Sequence, residues 1–200
     1  MTGMMMNSDP LILSFSECRT ARLAMRRISD HGQVHGLTDG TWSYLDALRE
    51  LLRLTGPSDI AVSTWTAAKT DTIEAERLLR SGRVKSWRML VDASFKTRQP
   101  AYCELVRKKF GDDAVRVWNC HAKFSVITGG EFEVLYLTSA NLNRNRRIEN
   151  FSIYREPKGI VARYMRLVED LFTMQKPGDG FSGATVGRHD AASLAGDKKR

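Results

Sequence analysis

The chain has 200 residues, of which 42% are hydrophobic and 27% charged, a balance that suits a folded core and excludes a fibrous or wholly disordered polymer. The formal net charge of +8 favours an anionic partner such as nucleic acid or a lipid headgroup surface, although plain solubility also accounts for it. Cys18, Cys103 and Cys120, an odd set without CxxC spacing, argue against a disulfide framework and a zinc site and fit a reducing cytosol.

In chain order, the first ten residues read as unstructured. Residues 11–17 (LILSFSE) form a candidate strand, and 18–28 a basic helix carrying Arg19, Arg22, Arg26 and Arg27, read as a solvated face. Residues 32–40 read as turn-rich. Trp42, Leu45, Leu48, Leu51 and Leu52 recur at helical spacing over 41–54 and predict a helix with one buried face. After the turn GPSD, residues 60–66 read as a buried strand. A helix ending at Gly82 follows, then a strand over 86–94, a helix over 101–110 and a strand over 114–118. Residues 121–127 and 131–139 predict a hairpin around Gly129-Gly130, with a strand over 149–155 and a closing helix over 160–172.

This order implies an α/β fold, a mixed β-sheet flanked by helices. Three segments are expected: an N-terminal extension over 1–56, a domain over 57–174, and a disordered tail over 175–200. No basic residue precedes Arg19 and no long apolar stretch follows. Neither a signal peptide nor a membrane span is expected, and the expected location is cytoplasmic.

His121-Ala122-Lys123, the hairpin, Thr138-Ser139-Ala140-Asn141 and Glu149-Asn150 carry the chemistry. Residues two apart on a strand project from one face, which pairs His121 with Lys123. The hairpin brings Ser139 and Asn141 to the same sheet end. A point-charge ammonium, a hydroxyl, an amide and an imidazole there make a candidate phosphate pocket. Trp65, ending the first strand of the domain, is a candidate base-stacking residue, with burial under the sheet as the alternative. Arg144, Arg146 and Arg147 follow as a candidate polyanion track, and Glu149 has the alternative of a surface pair with Arg146 or Arg147. His121 has the alternative of a core histidine, Asn141 that of an Asx-turn. Cys120 reads as core, and His31, His35 and His189 as solvated residues.

These residues resemble the HKD motif of the phospholipase D superfamily, HxKxxxxD followed by GSxN, and are closest to the single-motif bacterial nuclease-like members. Two positions depart from it: Thr128 stands where the family has Asp, and Thr138 where it has the first Gly. The resemblance implies a phospholipase D-like half-domain and metal-independent phosphodiester cleavage, with His121 as nucleophile and Lys123, Asn141 and Glu149 around it. Neither cofactor nor metal is called for. Such chemistry needs two imidazoles and this chain has one HxK without an internal repeat, so a homodimer is implied. The leading reading is a phosphodiesterase, a nuclease on DNA or RNA. A catalytically degenerate nucleic-acid-binding module is the alternative, and a lipid phosphodiesterase the third.

Overall fold

The structure is a computed structural model that describes residues 9–144, 146–155 and 159–181. The first eight residues, His189 and the tail beyond residue 181 lie outside the described residues. The elements in order are β1 (Leu11–Ile12), α1 (Ala21–Met25), β2 (Gln33–Thr38), α2 (Tyr44–Thr55), β3 (Ser58–Thr64), α3 (Lys69–Arg80), β4 (Val84–Asp92), α4 (Phe95–Arg98), α5 (Pro100–Phe110), β5 (Val115–Trp118), β6 (Phe124–Thr128), β7 (Val134–Thr138), β8 (Glu149–Arg155) and α6 (Ile160–Met174). The strands form one mixed sheet in the order β1-β2-β8-β7-β6-β3-β4-β5, so the expected α/β architecture is observed.

Local chemistry sets the element ends. Ser43 and Asp46 form a reciprocal capping box that starts α2, satisfying backbone donors that a helix start leaves open. α5 begins on Pro100, whose missing N–H costs nothing in the first turn. Period-2 burial then sorts the strands onto two faces. Ile60, Val62, Met89, Val91, Ile127, Tyr136, Phe151 and Ile153 pack with residues of α1 to α5. Ala61, Leu90, Phe124, Val126 and Leu135 pack with Val161 and Val168 of α6 on the other face.

Four sequence expectations change. The segment 32–40 is not a turn-rich connector: it contains β2, whose six residues all pair with β8, from Gln33↔Tyr154 to Thr38↔Glu149. Polar, glycine-containing QVHGLT has weak strand propensity, and the pairing with β8 overrides it. The basic helix shrinks to α1 plus a 3-10 turn, Arg26–Ser29, and the first strand to the two residues of β1. Residues 175–181, assigned to the tail, are ordered against β5. The Gln175 amide bonds both Val117 N and Val117 O, and Phe181 lies under the Arg107 guanidinium. Among the described residues no helix is long and apolar enough to cross a membrane.

Candidate active site

β2, β7, β3, β4 and β5 run in one direction, whereas β6 and β8 run against them. One end of the sheet therefore collects the C-terminal ends of β3, β4 and β7 with the first residues of β6 and β8. Open α/β sheets bind ligands at this carboxyl end. Trp65, Asp92, Ser139 and Asn141, with His121 and Lys123 just before β6 and Glu149 at the start of β8, all belong to it.

The ladder of β6 begins only at Phe124, so His121 and Lys123 sit in the lead-in rather than on a strand. Side chains take over there. The Ser63 hydroxyl donates to Ala122 O at 2.9 Å, and the Asp92 carboxylate accepts Cys120 N–H at 3.0 Å. The two residues still meet: Lys123 Nζ lies 2.9 Å from His121 Nδ1. Nζ is also 3.4 Å from His121 Nε2, so the lysine lies against both ring nitrogens. Burial pulls the Lys123 pKa below its ordinary range, while Glu149, Cys120 and Asp92 act in the opposite direction. A partly desolvated ammonium is a stronger partner for an incoming anion than a fully hydrated one.

The remaining polar groups lock around this pair. Ser139 donates its hydroxyl to the Glu149 carboxylate and accepts Asn150 N–H at 3.0 Å, joining the end of β7 to the start of β8. Asn141 Oδ1 accepts Trp65 N–H at 3.2 Å, which turns the amide donors of Asn141 away from that contact. The Trp65 ring is half-buried and lies 5.4 Å from the His121 ring, so it borders the imidazole rather than sinking under the sheet. Thr138, standing where the resemblance expects Gly, has a local task. Its hydroxyl donates to Asn150 O at 2.9 Å and accepts Ala140 N–H at 3.1 Å.

Thr128 lies at the far end of β6, opposite Asp59. Five residues of strand from Lys123 amount to roughly 16 Å at the usual rise. A carboxylate at 128 would reach none of the site and would stand beside the Asp59 carboxylate. Cys120 is only partly buried, with its sulfur 3.4 Å from Ser63 Oγ, and is therefore less internal than its sequence reading as core.

The three arginines divide. Arg144 lines a hollow of about 120 Å³ with Asp46, Asp71 and Glu74, and its charge opposes the rise that burial imposes on the Asp71 carboxyl. Arg146 and Arg147 are exposed, and their backbone lies flush on Gly40. Gly40 has a φ of 81°, and a Cβ there would come within 2.6 Å of Arg147 N. Only glycine allows that approach. A separate groove of about 680 Å³ at the opposite end of the sheet is lined by Arg49, Arg53, Arg77 and Arg83, with Glu50 and Glu74 among them. Arg49 and Arg77 both pair with Glu74, and Arg53 with Glu50.

Two residues were missed in the sequence. Asp92 ends a parallel strand at the ligand-binding edge, a position that could have flagged it. Besides Cys120 N–H it accepts Ser94 N–H at 2.9 Å and the Ser94 hydroxyl. Asp92→Ala should cost about 2 kcal/mol, the scale of hydrogen bonds to a charged group, as a lower urea midpoint at constant slope. A change under about 0.5 kcal/mol would mean that the turn before His121 holds itself. The second is Arg98, whose guanidinium stacks on Trp65 with Cζ 3.6 Å from the ring centre. No sequence spacing announces that contact. Among the described residues, no three His, Cys, Asp or Glu side chains group as metal ligands would.

No family model and no curated protein matches the chain. Among solved structures it is similar to a phospholipase D family member, Nuc from Salmonella typhimurium, with a TM-score of 0.45 and 14% sequence identity, over 72% of this chain and 95% of that one.

Proposed function

We propose that the chain is a phosphodiesterase that uses His121 as nucleophile on a nucleic-acid phosphodiester, without a metal, in an active site shared by two copies. The observation that carries this reading is the direct contact of Lys123 Nζ with His121 Nδ1, inside a cluster that also holds Asn141, Ser139 and Glu149 at the carboxyl end of the sheet. The sequence resemblance to HKD phosphodiesterases rests on the same residues.

The chemistry follows from those groups. An incoming phosphate takes the Lys123 ammonium and the Asn141 amide as donors, which releases the imidazole from lysine. The unprotonated ring nitrogen attacks phosphorus and the P–O bond to the leaving oxygen breaks, giving a phosphohistidine. A second, protonated imidazole passes its proton to that oxygen, then removes one from water, whose oxygen attacks phosphorus and restores His121. Glu149 stands near enough to oppose the fall that burial imposes on the Lys123 pKa, and supplies negative charge that favours the developing imidazolium. The chain contributes one His-x-Lys, so the second imidazole is the His121 of another copy.

Sedimentation at micromolar concentration, with and without oligonucleotide, tests this arrangement. The expected species is a dimer; a monomer under both conditions rules out the shared-site mechanism. The degenerate-module reading keeps the same pocket and predicts binding without cleavage.

A further inference from the structure

The row of groups running outward from His121 has no part in the chemistry above. The imidazole and the Trp65 indole are 5.4 Å apart, and the Arg98 guanidinium lies 3.6 Å over that indole. Arg98 is exposed, so the guanidinium face away from Trp65 is open to solvent. Its place is fixed from several directions. Arg98 Nε donates to Ser94 Oγ at 3.0 Å, and Ser94 donates to the Asp92 carboxylate. The other oxygen of Asp92 holds Cys120 N–H, one residue before His121. Thr66 donates to the Gln99 side chain at 2.6 Å, tying the residue after Arg98 to the end of β3. One carboxylate thus sets both the imidazole turn and the guanidinium.

A guanidinium stacked on an indole is desolvated on one side and pre-oriented on the other. Its planar outer face suits a nucleobase, and its N–H edges suit a phosphate oxygen. A lone diester would leave this ledge empty, whereas a polynucleotide continues past the attacked phosphate. Bases within a duplex keep their faces against each other and have none to offer.

We infer that Arg98, carried on Trp65, is a flanking-nucleotide subsite that makes single-stranded polynucleotide the substrate class of this site. The inference rests on the phosphodiesterase reading, and its test separates the two. Cleavage of a mixed-sequence single-stranded oligonucleotide is compared with that of bis(4-nitrophenyl) phosphate, for wild type and Arg98→Ala. The ratio of the two kcat/KM values should fall about tenfold in the variant, the effect of losing one stacking partner. Arg98→Lys should recover less than half of that loss, because an ammonium keeps the charge and loses the plane. The salt slope of oligonucleotide binding should fall by about 0.7 in Arg98→Ala, as for one phosphate on a single strand. A ratio that moves less than twofold overturns the subsite. If wild type cleaves neither substrate, the phosphodiesterase reading fails. The subsite then stands or falls on binding alone: Arg98→Ala must weaken oligonucleotide affinity about tenfold, and an unchanged affinity overturns it.

Discussion

His121→Ala should reduce single-turnover cleavage of a single-stranded oligonucleotide in excess EDTA by at least about a thousandfold, equivalent to about 4 kcal/mol of barrier. In the proposed mechanism bond formation to phosphorus belongs to the imidazole, and no other group in the cluster replaces it. Affinity should change by less than about threefold, since the ring is not the main anchor of the phosphate. Lys123→Ala should behave differently. The ammonium faces the anion in ground and transition states alike, so affinity and rate should each fall about tenfold or more. Wild-type protein quenched during turnover should carry on histidine the phosphoryl group with one cleavage fragment still esterified to it, and the His121→Ala protein none. A His121→Ala enzyme retaining more than a tenth of the wild-type rate would remove the nucleophile assignment. Wild-type protein that binds but neither cleaves nor traps phosphate would make the chain a binding module.

Phe151→Ala should cost about 3–5 kcal/mol, the range for removing a fully buried phenyl group. Phe151 is 2% exposed and its ring meets Trp42 edge-on at 5.4 Å, with Tyr136 at 6.5 Å. It also lies flush on β2: a Cβ added at Gly36 would sit 2.8 Å from its tip. One residue of β8 therefore holds three parts of the chain, among them residues 36 and 42 of the first fifty. Urea unfolding should stay a single transition with a lower midpoint and an unchanged slope. A loss below about 1.5 kcal/mol would show that the N-terminal strand and helix rest on the sheet without sharing its core.

The legible part of the fold was the part with strong local signals. Leu45, Leu48, Leu51 and Leu52 announced α2, and IAVST and MLVD announced β3 and β4, because apolar period and β-branching are local properties. β8, Glu149–Arg155, was readable to the residue. β2 was not, because its pairing with β8 is made across more than a hundred residues of chain. Nor was the order of residues 175–181, which rests on long-range contacts: the Gln175 amide on Val117, the Gly180 carbonyl on Lys96 and the Phe181 ring on Arg107. The site divides in the same way. His121, Lys123, Ser139, Asn141 and Glu149 follow from a hairpin and a motif, so sequence spacing brings them together. Arg98 reaches Trp65 only through the packing of α4 beyond the end of β4, and a pattern along the chain holds no record of that.

The Gln175 contact has a consequence for how the molecule behaves among its own copies. β5 is the last strand of the sheet, and an edge strand offers unpaired N–H and C=O groups to any passing chain. Gln175 occupies both of Val117's outward groups, its Oε1 accepting the N–H at 2.7 Å and its Nε2 donating to the carbonyl at 2.8 Å. A primary amide has the same donor and acceptor as a peptide group, so this one side chain acts as a single-residue ninth strand. Gly180 completes the cover, since any Cβ there would strike the Val117 side chain. Ending the chain at Met174 would remove that blunting and leave a strand template open, turning a closed edge into a nucleus for sheet-to-sheet aggregation.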